Sequence, residues 1–313
     1  MDKKAFLTRW PVIICITLIC CLLWGSAFPC IKIGYRLFSI GADSTSSQIL
    51  FAGMRFLLAG IMAAAAGSAA ARRPLIPKKE ELPRVCLLSL FQTILQYTFF
   101  YIGLSHTTGM KSSIITASNV FLSIIVSALV FRTEKLSAKK LIGCAVGFAG
   151  VILVNLAGGS DMSLSFAGEG LIFLSALSHA FSASLTKRFS GSSDPVMLSS
   201  WQFIIGGVFM TAVGVLSGGR IGTAEAPGIA ILLYLAFISA AAFSLWSLLL
   251  KYNPVSSVSV FGFMNPVFGV VLSALLLSER SPAGPLRTVL ALLLVAAGII
   301  TVNAGFKKRE ITE

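Results

Sequence analysis

His179 stands inside an apolar stretch of this chain, with Ser175 four residues before it and Ser182 three after. On a helix those three positions share a face. A histidine there can carry a proton or donate to a bound solute. It can equally hydrogen-bond across a helix contact, and spacing leaves both readings open. Amide and aromatic groups recur at similar depth: Trp24, Phe28, Gln92, Gln96, Asn119, Trp246 and Asn265, with Tyr97, Tyr101 and Phe261 among them. Gln92, Gln96 and, one turn on, Phe99 or Phe100 stripe one helix face. Apolar walls with a few amides suit a small amphiphilic solute, although any one of these groups also serves as glue between helices.

The charged residues sort by depth. Arg55 lies about eight residues into an apolar segment, roughly 12 Å deep, where a cation should face protein or water. It is either an anchor for an anionic group such as a carboxylate or a donor to backbone carbonyls between helices, and its place near the outer third favours the second. Lys111 opens a segment, where snorkelling to the interface accounts for it. Every Asp and Glu lies in a loop or at a helix end, so the chain lacks the buried carboxylate that commonly couples transport to protons. Glu134 and Glu279 end equivalent segments beside Lys135 and Arg280. They are candidate gate latches, or else solvated helix-end charges. An acid at a helix C-terminus opposes the dipole, so a cationic or backbone partner is expected.

These residues are positioned by apolar helices. Hydrophobic residues make up 56% of the 313 and charged residues 12%, with a mean hydropathy of +0.89. A soluble domain carries about 25% charged residues, so this is an integral membrane protein. The net charge of +13 would suggest nucleic acid in a soluble chain. Here the basic residues sit between apolar segments and imply no such partner. Ten segments reach the ~20 residues needed to span a bilayer: 11–33, 47–70, 84–104, 111–131, 138–158, 166–186, 195–217, 228–250, 256–277 and 287–305. Cys15, Cys20, Cys21, Cys30, Cys86 and Cys144 all fall in apolar stretches without CxxC spacing and read as packed thiols. With the N-terminus in the cytosol, loops and ends place 18 basic residues inside and 6 outside, the sense of the positive-inside rule. Both termini are then cytosolic, in the cytoplasmic membrane.

The chain repeats itself. Ala149-Gly150-Val151-Ile152-Leu153-Val154-Asn155 returns 148 residues later as Ala297-Gly298-Ile299-Ile300-Thr301-Val302-Asn303. Ser127-Ala128-Leu129 before Glu134 matches Ser273-Ala274-Leu275 before Glu279. Trp24-Gly25 pairs with His179-Ala180, and Arg55 to Gly60 with Gln202 to Gly207. Five helices per half is an odd number, so the halves enter the membrane from opposite sides. The expected fold is an all-α integral membrane protein of ten transmembrane helices in two inverted five-helix repeats, residues 1–158 and 159–313. Inverted repeats are the usual build of secondary transporters, with the site at mid-depth between them. Pro29 and Pro266 are candidate helix breaks.

The ten spans, Trp24-Gly25-Ser26 with Pro29, Arg55-Phe56, and Asn265-Pro266 followed by Leu277-Ser278-Glu279-Arg280 together resemble the EamA branch of the drug/metabolite transporter superfamily. The resemblance covers essentially the whole chain. It implies secondary transport, commonly export of amino acids, other metabolites or drugs. It also implies a cavity built by the first, third, fourth, sixth, eighth and ninth helices. This chain departs from the family in carrying Phe121 near the place that matches Pro266, and His179 where tryptophan is frequent. The expected lining is Trp24, Phe28, Gln92, Gln96, Asn119, His179, Trp246 and Asn265, with Arg55 as an anchor and Glu134 and Glu279 at the gates. A small-molecule substrate and the lipid bilayer are the implied partners. Protons are a candidate coupling ion and a homodimer a candidate assembly.

Facilitated uptake by the same fold is the alternative direction. An enzyme of the intramembrane protease kind needs a serine–histidine or paired-aspartate site, and neither GxSxG nor an aspartate pair occurs in the spans. A channel would show a charged ring or filter loop. Neither a Walker A motif nor a metal-ligand cluster is present, so no cofactor is expected.

Overall fold

The computed structural model describes residues 3–41, 43–104, 106–107, 109–155, 165–223, 225–277 and 284–304. After a short helix at Lys3–Leu7, ten helical segments follow: α1 Trp10–Leu37, α2 Thr45–Ala71, α3 Leu82–Leu104, α4 Gly109–Ile125 with a π-helical extension Val126–Val130, and α5 Ala138–Asn155. The second set is α6 Phe166–Phe189, α7 Pro195–Leu216, α8 Ala226–Tyr252, α9 Val255–Leu277 in three pieces, and α10 Gly284–Asn303. Seven of them are individually long and apolar enough to span a bilayer, and α4 and α9 carry shorter apolar stretches. The described residues contain no strand. This suits a bilayer, where each backbone group must be paired within its own helix.

Local chemistry sets the ends and irregularities. Asp194 caps α7, its Oδ1 accepting from Val196 N at 2.8 Å and Met197 N at 3.0 Å, with Pro195 in the first turn where no N–H is missed. The expected break at Pro29 does not occur, because α1 runs through it unbroken. A buried proline removes one helical bond and neighbouring helices hold the rest in place. Pro266 differs: a 3-10 turn at Val260–Phe263 immediately precedes its helical piece. In the middle of α3, Leu90–Leu95 widens into π-helix. Such widenings recur at functional sites.

The helices pack with a pseudo-two-fold symmetry that exchanges the first five with the last five. α2 lies along α7 and α5 along α10. α1 meets α8 and α9, and correspondingly α6 meets α3 and α4. In a bilayer, close packing rather than water drives helix association, so small residues mark the tightest seams. A Cβ on Gly60 would fall 2.7 Å from the Ser200 carbonyl, and one on the matching Gly207 would run into the Leu57 backbone and the Gly53 carbonyl. The α5–α10 seam repeats this: Gly298 lies against Gly143 and Gly147, and Gly150 against Ala291 and Val295. Phe56 and Phe203, matched by the repeat, stack at 5.2 Å with their planes 3° apart. The protein is thus an all-α membrane protein of ten helices built as an inverted repeat.

Candidate functional site

An aromatic run crosses the middle of the bundle. Trp24 on α1 meets Phe243 and Trp246 on α8 edge-on, each at 5.0 Å. Phe243 meets Phe203 at 4.9 Å, and beyond the Phe56–Phe203 stack Phe56 meets Tyr97 at 4.4 Å and Tyr97 meets Tyr101 at 6.4 Å. Edge-to-face pairs add about 0.5–1.5 kcal/mol each beyond their burial, so this is a stiff apolar wall. Next to it on α3, Gln96 faces His179 on α6, Oε1 to Nδ1 at 3.3 Å. With the amide oxygen as acceptor, Nδ1 carries the hydrogen and Nε2 remains an acceptor. The Trp24 indole N–H, the Gln92 amide oxygen and the Asn265 amide oxygen are buried without a hydrogen-bond partner among the described residues. An unpaired buried polar atom costs about 1–3 kcal/mol. These three, on α1, α3 and α9, are among fourteen side-chain atoms buried without a partner among the described residues.

Arg55 is buried on α2, at 4% exposure. Its Nε and Nη2 donate to Ser239 Oγ on α8 at 3.3 and 3.1 Å, and its guanidinium stands 4.7 Å from the centre of the Phe56 ring. No carboxylate pairs with it among the described residues. A cation on a membrane helix costs about 2.5–3.5 kcal/mol on insertion scales. The bonds to Ser239, about 1.5–3 kcal/mol for a hydrogen bond to a charged group, and the ring contact, about 0.5–2 kcal/mol, are what offset it.

On the face of the bundle that carries the basic loops, a hydrogen-bond network joins the two halves. Glu134, in the turn between α4 and α5, reaches the start of α9. Its Oε1 accepts from Ser127 Oγ at 2.8 Å and from the Ser256 backbone N–H at 3.0 Å, and its Oε2 accepts from Lys140 Nζ and Ser256 Oγ. A carboxylate is favourable there because the α9 N-terminus presents unpaired N–H groups and positive dipole charge. Burial pushes the Glu134 carboxyl up, but the hydrogen bonds from Lys140, Ser256 and Ser127 and the Lys140 charge outweigh it and hold it below the ordinary range. Nearby, Lys187 Nζ donates to the Lys251 and Asn253 carbonyls at 3.1 and 2.8 Å, and Asn253 Nδ2 donates to the Leu7 carbonyl at 3.0 Å. Beneath this network Cys20 and Cys21 are fully buried among α1, α8 and α9, their Sγ atoms against the Ala242 and Phe261 carbonyls.

The structure brings Trp24 and Trp246 together, and pairs Gln96 with His179. Gln92 is buried one turn away in the π-helical stretch. Asn119 and Asn265 are half-buried on α4 and α9, the Asn119 carbonyl accepting from Ser123 Oγ at 2.7 Å. Phe28 stands apart, 43% exposed and laid over Gly269. The Arg55 donors go to a side-chain hydroxyl rather than to backbone carbonyls. Glu134 does have the cationic and backbone partners its helix end called for, but the cation is Lys140, six residues on, rather than the adjacent Lys135. Glu279 lies outside the described residues. Phe243, Phe203, Ser239 and Ser256 carry no sequence signal of their own. The repeat could have pointed to Phe203, since Arg55-Phe56 matches Gln202-Phe203.

Inverted five-helix halves of apolar helices are the usual build of a multi-pass membrane transporter. The EamA-like transporter family matches residues 11–156 and again 166–304, and the chain belongs to that family. It is 27% identical over 292 residues to the uncharacterized transporter YvbV of Bacillus subtilis, covering 92% of this chain and 90% of that one. It is 26% identical over 275 residues to a probable amino-acid metabolite efflux pump of Escherichia coli, covering 85% and 87%. It is 25% identical over 289 residues to a probable terminal-alkyne amino-acid exporter of Streptantibioticus cattleyicolor, covering 90% and 89%. A crystal structure superposes with a TM-score of 0.76 at 16% identity, covering 95% of this chain and 98% of that one; this is a likeness of fold alone.

Proposed function

We propose that the protein exports small amphiphilic metabolites, amino acids and related solutes, across the cytoplasmic membrane by alternating access, with both termini cytosolic. The observation that carries this reading is the two-fold arrangement latched on one side: Glu134 of the first half grips the α9 start of the second at the basic face. The basic face is the cytosolic one by loop charge, so this is the state closed to the cytosol. Release of the latch while an equivalent contact forms at the other end exposes the mid-depth cluster to the cytosol. The groups that move against each other follow the packing, α1 with α8 and α9 on one side and α6 with α3 and α4 on the other. Gln96, His179, Trp24, Gln92 and Asn265 supply the donors and acceptors, and the aromatic run supplies the apolar wall. The names of the amino-acid efflux pumps and exporter among the relatives support the substrate class and the direction.

Cells overproducing the protein, compared with cells producing Trp24→Ala and His179→Ala, should accumulate a small set of amino acids or related compounds outside only with the wild type. Unchanged pools with folded protein in the membrane would overturn export. Depletion from the medium would show uptake instead.

A further inference from the structure

The two-fold symmetry gives Arg55 a neutral twin. Position 55 on α2 matches Gln202 on α7, and Ser239 on α8 matches Thr93 on α3. The contact is the same on both sides: Arg55 bonds Ser239 Oγ, and Gln202 Oε1 accepts from Thr93 Oγ1 at 2.5 Å. The second half therefore makes its interhelical bond without a charge. The fold has no need of a cation to join α2 to α8. The guanidinium has five N–H groups, and Ser239 Oγ takes those on Nε and Nη2 only. The Phe56 ring centre stands 4.7 Å from the centre of the group, and the N–H groups of the Nη1 and Nη2 end remain for a carboxylate, which arginine reads with two parallel bonds. The Tyr35 hydroxyl lies within reach of Arg55 and the Tyr101 hydroxyl next to that of Tyr35. Tyr35 Oη is buried, with the Tyr101 hydroxyl and the Arg55 guanidinium as its polar neighbours.

We propose that Arg55, with the Tyr35 and Tyr101 hydroxyls, forms an anion subsite that binds the carboxylate of the transported solute. It sits beside Phe56, so a solute held there by its carboxylate lays its apolar part along the wall toward Phe203 and Phe243. The substrate class is then amino acids and other small carboxylates rather than amines, sugars or cationic drugs. This inference rests on the exporter reading.

The full-length protein in proteoliposomes loaded with L-phenylalanine, L-leucine and their carboxamides gives the test, with efflux of each measured by mass spectrometry. Wild type should move the acids at least tenfold faster than the amides. Arg55→Gln copies the twin position, so it should fold and keep the Ser239 bond, while the acid-to-amide ratio falls to within about threefold of unity. Arg55→Lys should retain part of the ratio, which a purely structural role does not require. A folded Arg55→Gln with an unchanged ratio overturns the subsite and leaves the exporter reading intact. Equal movement of acids and amides by the wild type overturns the subsite even if every Arg55 variant misfolds. Movement of neither series by folded wild type overturns the exporter reading and the subsite with it.

Discussion

Replacing Glu134 by glutamine keeps the shape of the side chain and removes its charge. Of the four bonds its oxygens accept, those from Ser127 and Lys140 stay within α4 and α5, and the two from Ser256 cross to α9. A hydrogen bond to a charged group contributes about 1.5–3 kcal/mol and one between neutral groups about 0.5–1.5. Neutralising the acceptor therefore costs the latch roughly 1–1.5 kcal/mol per crossing bond, or about 2–3 in all. Lys140 is 17% exposed and can turn to water once its partner is neutral. At 1.4 kcal/mol per decade, the ratio of open to closed at the basic face should rise about 30- to 150-fold. Cys20 and Cys21 report on it, being buried in one apolar cluster with Val255 and Val258 at the latched start of α9. Cys15 and Cys86 are exposed and are replaced by serine to remove background. A membrane-impermeant maleimide applied to the basic face, with modified peptides read by mass spectrometry, should label Cys20 and Cys21 at least tenfold faster in Glu134→Gln. An unchanged rate in a folded variant would refute the latch. An equal rise at Cys30, buried on the other side of Trp24, would mark general loosening instead.

Because the Glu134 carboxyl is held low, the stability it contributes is present above its unfolded pKa and is lost as pH falls through the lowered folded value. The labelling rate of Cys20 and Cys21, divided by that of a free thiol peptide at the same pH to remove the change in thiolate fraction, should accordingly be flat from about pH 5 to 8 and rise only in stronger acid; a rise of this ratio as pH falls from about 7 to 6 would contradict the assignment. Gly207→Val should lower the melting temperature by several degrees, since overpacking costs about 1–3 kcal/mol and Leu57 and Gly53 leave no room there. Gly41→Ala, with nothing within 4 Å of the added carbon, should leave it unchanged. Export driven by proton exchange through His179 should lose its dependence on an imposed pH gradient in His179→Gln, while the amount of folded protein stays constant. A gradient response that survives the substitution removes His179 from the coupling.

The ten helices were legible because a bilayer accepts only long apolar segments, and the repeat was legible because Ala149–Asn155 and Ala297–Asn303 are nearly the same word. Trp24, Trp246, Gln96 and His179 could be picked out as groups that lipid would not tolerate alone. Which of them meet could not, and Phe28 shows why. Helices in lipid are apolar all round, so no polar face reveals which side points inward, and an exposed ring reads like a buried one. The partners of Arg55 and Glu134 lie on Ser239 and Ser256, 184 and 122 residues away, and no periodicity connects such positions. Membership, topology and the two-fold plan were thus determined by the sequence alone, since each follows from transfer to lipid and from repetition along one chain. The aromatic run, the latch and the unbalanced charge at Arg55 were decided by the tertiary structure, because each depends on which helix faces turn toward one another when the two halves pack.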